Sequence, residues 1–174
     1  MISNDVILVN EADESIGQME KMQAHLEGKL HRAFSVFVFN SEGEMLIHKR
    51  ALDKYHSPGL WTNACCSHPM PGEPKEAAVV RRMQEEIGLR APFRHLFHFV
   101  YRAELENDLI EHELDHVFLS ITDDEPIINP KEVAEFKYID PHELLTDIKS
   151  NPEHYTAWFK LIVDRVVDIH AQLQ

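Results

Sequence analysis

Cysteine is nearly absent from this chain: there are two, and they are neighbours, Cys65 and Cys66. Adjacent thiols cannot staple distant segments, so a disulfide framework is excluded and a reducing compartment is expected. Positive charge is also scarce, with 17 Lys and Arg against 30 Asp and Glu, a formal net charge of -13. Such a balance argues against nucleic-acid partners and against polybasic attachment to a membrane. An anionic substrate would need local cations, or a metal, to overcome that field. No apolar run approaches the length of a membrane span, and the first residues lack the basic and apolar regions of a secretory signal. The expected location is therefore cytoplasmic. Glycine is limited to 6 residues, and there is no repeat, low-complexity tract or linker.

What remains is an ordinary globular composition, 44% hydrophobic and 27% charged, over 174 residues. That length supports one domain with a real core, residues 1–174. Val6–Val9 is a short buried strand, and the polar stretch Ile16–Glu27 fits a helix or a hairpin arm equally well. Arg32–Phe39 is a strong β run that turns at Asn40–Gly43 into Glu44–Lys49. Pro74 sits where a first helical turn tolerates proline; Ala77, Val80, Met83 and Ile87 then recur at helical spacing before a Gly88 stop. Phe93–Leu105 and Leu109–Ile121 read as a long hairpin, and Phe136–Ile139 as a strand. Asp140-Pro141 opens a helix, and a last helix runs from Pro152 with Phe159, Ile162, Val163 and Val166 on its core face. The order of elements predicts an α+β fold, with several antiparallel strands and no regular βαβ alternation. No heptad or long exposed apolar strand demands assembly, so a monomer or weak homodimer is expected.

Several constellations carry chemistry, each beside a plainer reading. The stretch Asn63–Leu89 holds Cys66 and His68 two residues apart, then a Pro/Gly-rich loop and a helix ending in paired charges. Cys66 reads equally as a buried inert thiol. Glu111 and Glu113 share one face of a strand, close enough to share a cation, or to form a solvated acidic face. His25, His31 and His68 have no short ligand spacing between them. Converged with those carboxylates they would suit Zn²⁺ or Mn²⁺. Arg82 and Glu86 lie four apart, the spacing of a surface ion pair. Trp158 reads as core, and Lys21, Arg50 and Lys54 as solvated. Taken alone, the residues suggest a metal site with an acid/base pair acting on something anionic, and name no reaction.

Ser67–Leu89 resembles the Nudix box, G-x(5)-E-x(7)-R-E-U-x-E-E-x-G-U, matching at Glu73, Arg81, Met83, Glu85, Glu86, Gly88 and Leu89. Ser67 replaces the first Gly, and Arg82 replaces a Glu of the acidic cluster that binds Mg²⁺ in Nudix hydrolases. An Arg there suits gripping a diphosphate rather than cleaving it. The segments LHRAFSVFVFN, RALDKYHSPGLWTNACCSHP, FVYRAELE and LIEHELDHVF extend the likeness over nearly the whole chain. Together they resemble the type I isopentenyl-diphosphate isomerases, a Nudix-fold family. That resemblance implies an α/β/α sandwich around a mixed, largely antiparallel sheet. It implies conversion of isopentenyl into dimethylallyl diphosphate in isoprenoid biosynthesis, through a carbocation-like state. His25, His31, His68, Glu111 and Glu113 become the implied ligands of one Mn²⁺ or Zn²⁺. Glu86 is implied in contact with a Mg²⁺ on the substrate diphosphate. Lys21, Arg50, Lys54 and Arg82 become the diphosphate grip, Cys66 and Glu113 the acid/base pair assisted by Tyr101, and Trp158 the wall over the hydrocarbon. The alternatives are a Nudix diphosphohydrolase using Glu85 and Glu86 with Mg²⁺, and an inactive metal- or ligand-binding module.

Overall fold

A computed structural model describes residues 4–174. In chain order the elements are β1 (Asp5–Val9), β2 (Ser15–Glu20), α1 (Lys21–Glu27), β3 (His31–Phe39), β4 (Met45–Arg50), β5 (Trp61–Thr62), β6 (Cys65–Ser67), α2 (Lys75–Ile87), β7 (Phe93–Glu104), β8 (Ile110–Ile121), β9 (Val133–Ile139), α3 (Pro141–Ser150) and α4 (Ala157–Gln172). The ambiguous polar stretch forms both expected shapes, since β2 hairpins onto β1 and α1 follows directly.

β3 is the strand on which the sheet is assembled. Its β-branched and aromatic residues are buried on both faces, as a central strand requires. Along one edge it pairs in parallel with β8, in unbroken register from His31 opposite Glu113 to Phe39 opposite Ile121. Its other edge is shared by β1 at His31, β6 at Phe34–Val36 and β4 at Val38–Phe39, all antiparallel. β7 extends the sheet beyond β8, while β5 and β9 flank β4. The result is the expected mixed, largely antiparallel sheet.

Helices cover both faces. Phe34, Val36, Val38 and Phe118 pack under α2, and Phe37, Phe39, Val117 and Leu119 pack under α4. α2 differs from its expected orientation. Its buried residues are Ala78, Val79, Met83, Glu86 and Ile87, whereas Ala77 and Val80 face solvent. The buried stripe admits one carboxylate, Glu86, which hydropathy periodicity excludes by construction. α4 begins at Ala157, later than the expected Pro152. Tyr155 and Thr156 stay extended beside β5, where the Thr156 N–H donates to the Trp61 carbonyl at 3.0 Å. That pairing delays the helix and brings Trp158 against Cys66.

Gly88 ends α2 in the left-handed region with φ +61°, and a Cβ there would lie 2.6 Å from the Ile127 carbonyl oxygen. A side chain in that conformation costs roughly 1–2 kcal/mol before any clash. Gly88→Ala is therefore expected to lower unfolding free energy by at least about 2 kcal/mol in urea titrations; an unchanged midpoint would contradict this packing. His48 is buried on β4, near the Ala64 carbonyl that accepts from its Nδ1–H at 3.0 Å. Burial, reinforced by Arg50, pushes its pKa from 6.5 down to about 4. As pH falls from 6.5 to 4, the unfolded chain takes up this proton and the folded chain does not, so stability is lost across that window. The stability gap between the unaltered chain and His48→Gln should shift with pH inside that window only, as read by denaturation at successive pH values.

Candidate active site

The β3–β8 register brings together residues far apart in the chain. It sets His31 beside Glu113, and β6 adds His68 just beyond its last residue. α1 lays His25 over them, because its short apolar face buries Ala24 and His25. The Nδ1–H of His25 donates to the Lys21 carbonyl at 2.7 Å, and that of His31 to the Lys29 carbonyl at 2.9 Å. Carbonyls only accept, so each ring carries a proton on Nδ1, and its neutral form presents an Nε2 lone pair to the interior. Glu113 Oε2 lies 3.1 Å from His31 Nε2 and 2.8 Å from His68 Nε2.

Ligand atoms of His25, His31, His68 and Glu113 all lie within 4.8 Å of one another, and so do those of an overlapping group, His25, His56 and Glu111. Four of the five expected ligands thus share one grouping, and Glu111 joins them through His25. Among the described residues, His25 Nε2 and Glu111 Oε2 are buried without a hydrogen-bond partner. Buried polar atoms are rarely left unpaired, and lone pairs aimed at carboxylate oxygens call for a cation or a proton between them. The donor set therefore fits a first-row divalent ion.

Charge in this centre is tightly managed. The acidic strand face is dry, with Glu111 4%, Glu113 5% and Asp115 1% exposed. Burial alone would raise Glu113, but hydrogen bonds with His31 and His68 hold it well below the usual carboxylate range. Burial and the neighbouring Glu113 push Glu111 well up, and burial and Glu113 do the same to Asp115. Tyr101 Oη contacts both Glu111 Oε1 and Glu113 Oε1. One phenol carries one proton, so a proton on Glu111 is what lets Tyr101 bond to both. Burial lowers His68 to about 4 and, helped by Arg50, His56 to about 2, so both rings are neutral ligand forms near pH 7.

A pocket of about 420 Å³ opens above this centre. Lys21, Arg50, Lys54, Arg82, Cys66, His68, Glu86, Glu111, Glu113 and Trp158 line it, while His25, His31 and Tyr101 stand behind the lining. Cys66 Sγ lies 3.0 Å from Asn63 Oδ1 and receives the Trp158 indole N–H at 3.1 Å. Burial, with Asp115 and Glu86 nearby, raises its pKa, so it is a thiol near pH 7 rather than a thiolate. At the mouth, Arg82 reaches Glu85 at 2.6 Å, Glu86 at 3.0 Å and Glu132 at 3.3 Å. Lys54 meets Glu132 at 2.7 Å, and Arg50 lies over the Trp158 ring at 5.4 Å. Burial and the charge of Lys54 lower the Lys21 pKa, a sign of crowded cations. Glu86 belongs to neither His/Glu grouping; Arg82 and the Cys65 thiol hold it instead.

Tyr55, His56 and Glu132 also line the pocket and were not expected. The first two fall in the Arg50–Leu60 loop, which has no periodicity to read, and Glu132 follows Pro130-Lys131 with no motif around it.

The NUDIX domain family matches residues 29–159 of the chain. The isopentenyl-diphosphate Delta-isomerase of Pectobacterium atrosepticum is 49% identical over 164 residues, 94% of this chain and 92% of that protein. The isopentenyl-diphosphate Delta-isomerase 2 of Aromatoleum aromaticum is 45% identical, over 95% of this chain and 88% of its own. Among solved structures, DR0079 from Deinococcus radiodurans superposes with a TM-score of 0.78 at 25% identity, covering 92% of this chain and 98% of its own.

An ion that binds only the folded chain stabilises it by about 2.7 kcal/mol at a hundredfold excess over its Kd. Mn²⁺ or Zn²⁺ added to chelator-stripped protein should therefore raise the melting temperature, and His25→Ala should abolish most of the rise. Identical melting with and without ion would rule out the site.

Proposed function

The chain belongs to the NUDIX domain family and, within it, to the isopentenyl-diphosphate Delta-isomerases, and from that premise we propose how its residues interconvert isopentenyl and dimethylallyl diphosphate. The observation that carries the proposal is the placement of Cys66 and Glu113. β6 and β8 flank β3 on opposite edges, so the two side chains enter the pocket from strands about 10 Å apart. Moving a double bond by one carbon requires a proton delivered at one carbon and another withdrawn two carbons away. An acid and a base on opposite sides of a small chain meet that requirement.

The neutral Cys66 thiol serves one proton transfer. Glu113, held ionised by His31 and His68, serves the other, with Tyr101 hydrogen-bonded to its far oxygen. Which of them gives and which takes exchanges with the direction of reaction. The state between carries positive charge on a tertiary carbon. Trp158 presents a π face to it, worth about 2 kcal/mol when desolvated, and the dry pocket floor keeps water from trapping it. Lys21, Arg50, Lys54 and Arg82 grip the diphosphate against the -13 background.

His25, His31, His68, Glu111 and Glu113 would hold one Mn²⁺ or Zn²⁺, and Glu86 would contact a Mg²⁺ arriving with the diphosphate. The bound ion supplies fixed positive charge that orients Glu113 and biases its protonation. The assignment extends to a single catalytic domain over residues 1–174, working as a cytoplasmic monomer or weak dimer in isoprene biosynthesis. Hydrolysis is disfavoured because Arg82 occupies a metal-ligand position of the Nudix box and engages Glu85 and Glu86 itself.

Deuterium incorporation from heavy water into the prenyl diphosphate tests the proton transfers directly. Cys66→Ala and Glu113→Gln should each lower exchange and isomerisation at least about a hundredfold. Full exchange with both changes in place would sink the assignment, and release of phosphate instead would favour the hydrolase.

A further inference from the structure

His56 lies in the loop between β4 and β5, 4% exposed, with its ring stacked on His25 at 5.7 Å and edge-on to Trp158 at 5.7 Å. Its Nε2 is 3.4 Å from Glu111 Oε2, longer than a charge-assisted hydrogen bond to a carboxylate. Glu111 Oε2 is itself buried and unpartnered among the described residues, as is His25 Nε2. The ligand atoms of these three residues lie within 4.8 Å of one another. Three ligand-type atoms thus converge without bonding one another. The second nitrogen of His56 is accounted for, since Nδ1 lies 3.3 Å from Ser57 Oγ and can donate to it.

The two ligand groupings overlap at His25. Its Nδ1–H is committed to the Lys21 carbonyl, so one Nε2 lone pair serves both groupings and cannot serve two ions at once. An ion held on that lone pair lies where the two groupings meet and can draw ligands from both. We propose that His56 is a sixth protein ligand of the divalent ion, completing a set of His25, His31, His56, His68, Glu111 and Glu113. The inference rests on the reading that the other five residues hold one such ion.

Six nitrogen and oxygen donors exceed what four-coordinate Zn²⁺ takes up and suit an ion that favours six, such as Mn²⁺. A shell filled by the protein leaves no place on this ion for a diphosphate oxygen, so its action is confined to the carboxyls it holds. The His56 carbonyl also accepts from Arg50 Nη2 at 3.1 Å and Nε at 3.3 Å. One residue thereby ties the metal centre to a cation of the diphosphate grip.

The test uses the full chain, stripped by chelator and titrated with Co²⁺, Mn²⁺ and Zn²⁺ in chelator competition. His56→Ala should lose tenfold or more in Mn²⁺ and Co²⁺ affinity and less in Zn²⁺ affinity. Its Co²⁺ absorption should intensify as the coordination number drops, and free imidazole should restore the original spectrum in His56→Gly. A residue that merely oriented Glu111 would alter affinity without changing the Co²⁺ coordination number. His56→Gln, checked by metal-free melting, serves where alanine disturbs the Trp158 packing. Unchanged affinity and an unchanged Co²⁺ spectrum in a folded His56 variant would overturn the inference while leaving the five-ligand reading standing. No ion uptake by the unaltered chain would overturn both.

Discussion

The rest of the structure depends on three carboxyls kept dry on one strand face. Glu111, Glu113 and Asp115 alternate along β8 and are all nearly inaccessible. A buried carboxylate without partners costs several kcal/mol, so each must be bonded, paired or protonated. The chain uses all three remedies. His31 and His68 hold the Glu113 pKa down, Tyr101 bonds Glu111 while burial pushes that carboxyl's pKa up towards its neutral form, and Ser35 donates to Asp115 Oδ2 at 2.7 Å. His25 and His31 are in turn fixed by backbone carbonyls of α1 and of the turn that follows it, so the N-terminal arm is part of the centre rather than an appendage.

A second tier of charge sits at the pocket mouth and is arranged oppositely. There the cations line the pocket and the acids are their counterions. Glu132 bridges Lys54 and Arg82, and Glu85 and Glu86 complete the neutralisation of Arg82. An Arg where the Nudix box carries Glu thus changes more than one charge. It draws two neighbouring acids, Glu85 and Glu86, into ion pairs, and it leaves a guanidinium facing the pocket. The dry carboxyl centre and the cationic mouth line one and the same pocket.

Much of the fold was legible because its signals are local. The β3 run, the long hairpin and the Gly88 stop follow from residue type and period. The convergence of His31 with Glu113 was not readable that way. Those residues are 82 positions apart and meet only through the parallel β3–β8 register, which no short spacing encodes. The resemblance of whole segments supplied what spacing could not. The inward turn of Glu86 defeated the hydropathy pattern for a related reason: a site places polar groups where a core would place apolar ones. His56 escaped both approaches, since its loop has no period and its neighbours are assembled from three separate elements.

Register also explains how Glu113 and Cys66 come to line one pocket. Side chains on a strand alternate faces, so a slip of one residue between β3 and β8 would send Glu113 to the α2 side and bring His112 or Leu114 into the pocket. The same holds for β6, where Cys66 faces the pocket while Cys65 points to α2 and meets Glu86. Two adjacent thiols with identical chemistry therefore have different surroundings, one lining the pocket and one buried against Glu86, and the pleat decides between them. The apolar packing of Phe34, Val36 and Val38 on one face and Phe37 and Phe39 on the other holds that register. The core is thereby a determinant of which side chains reach the pocket as well as of stability.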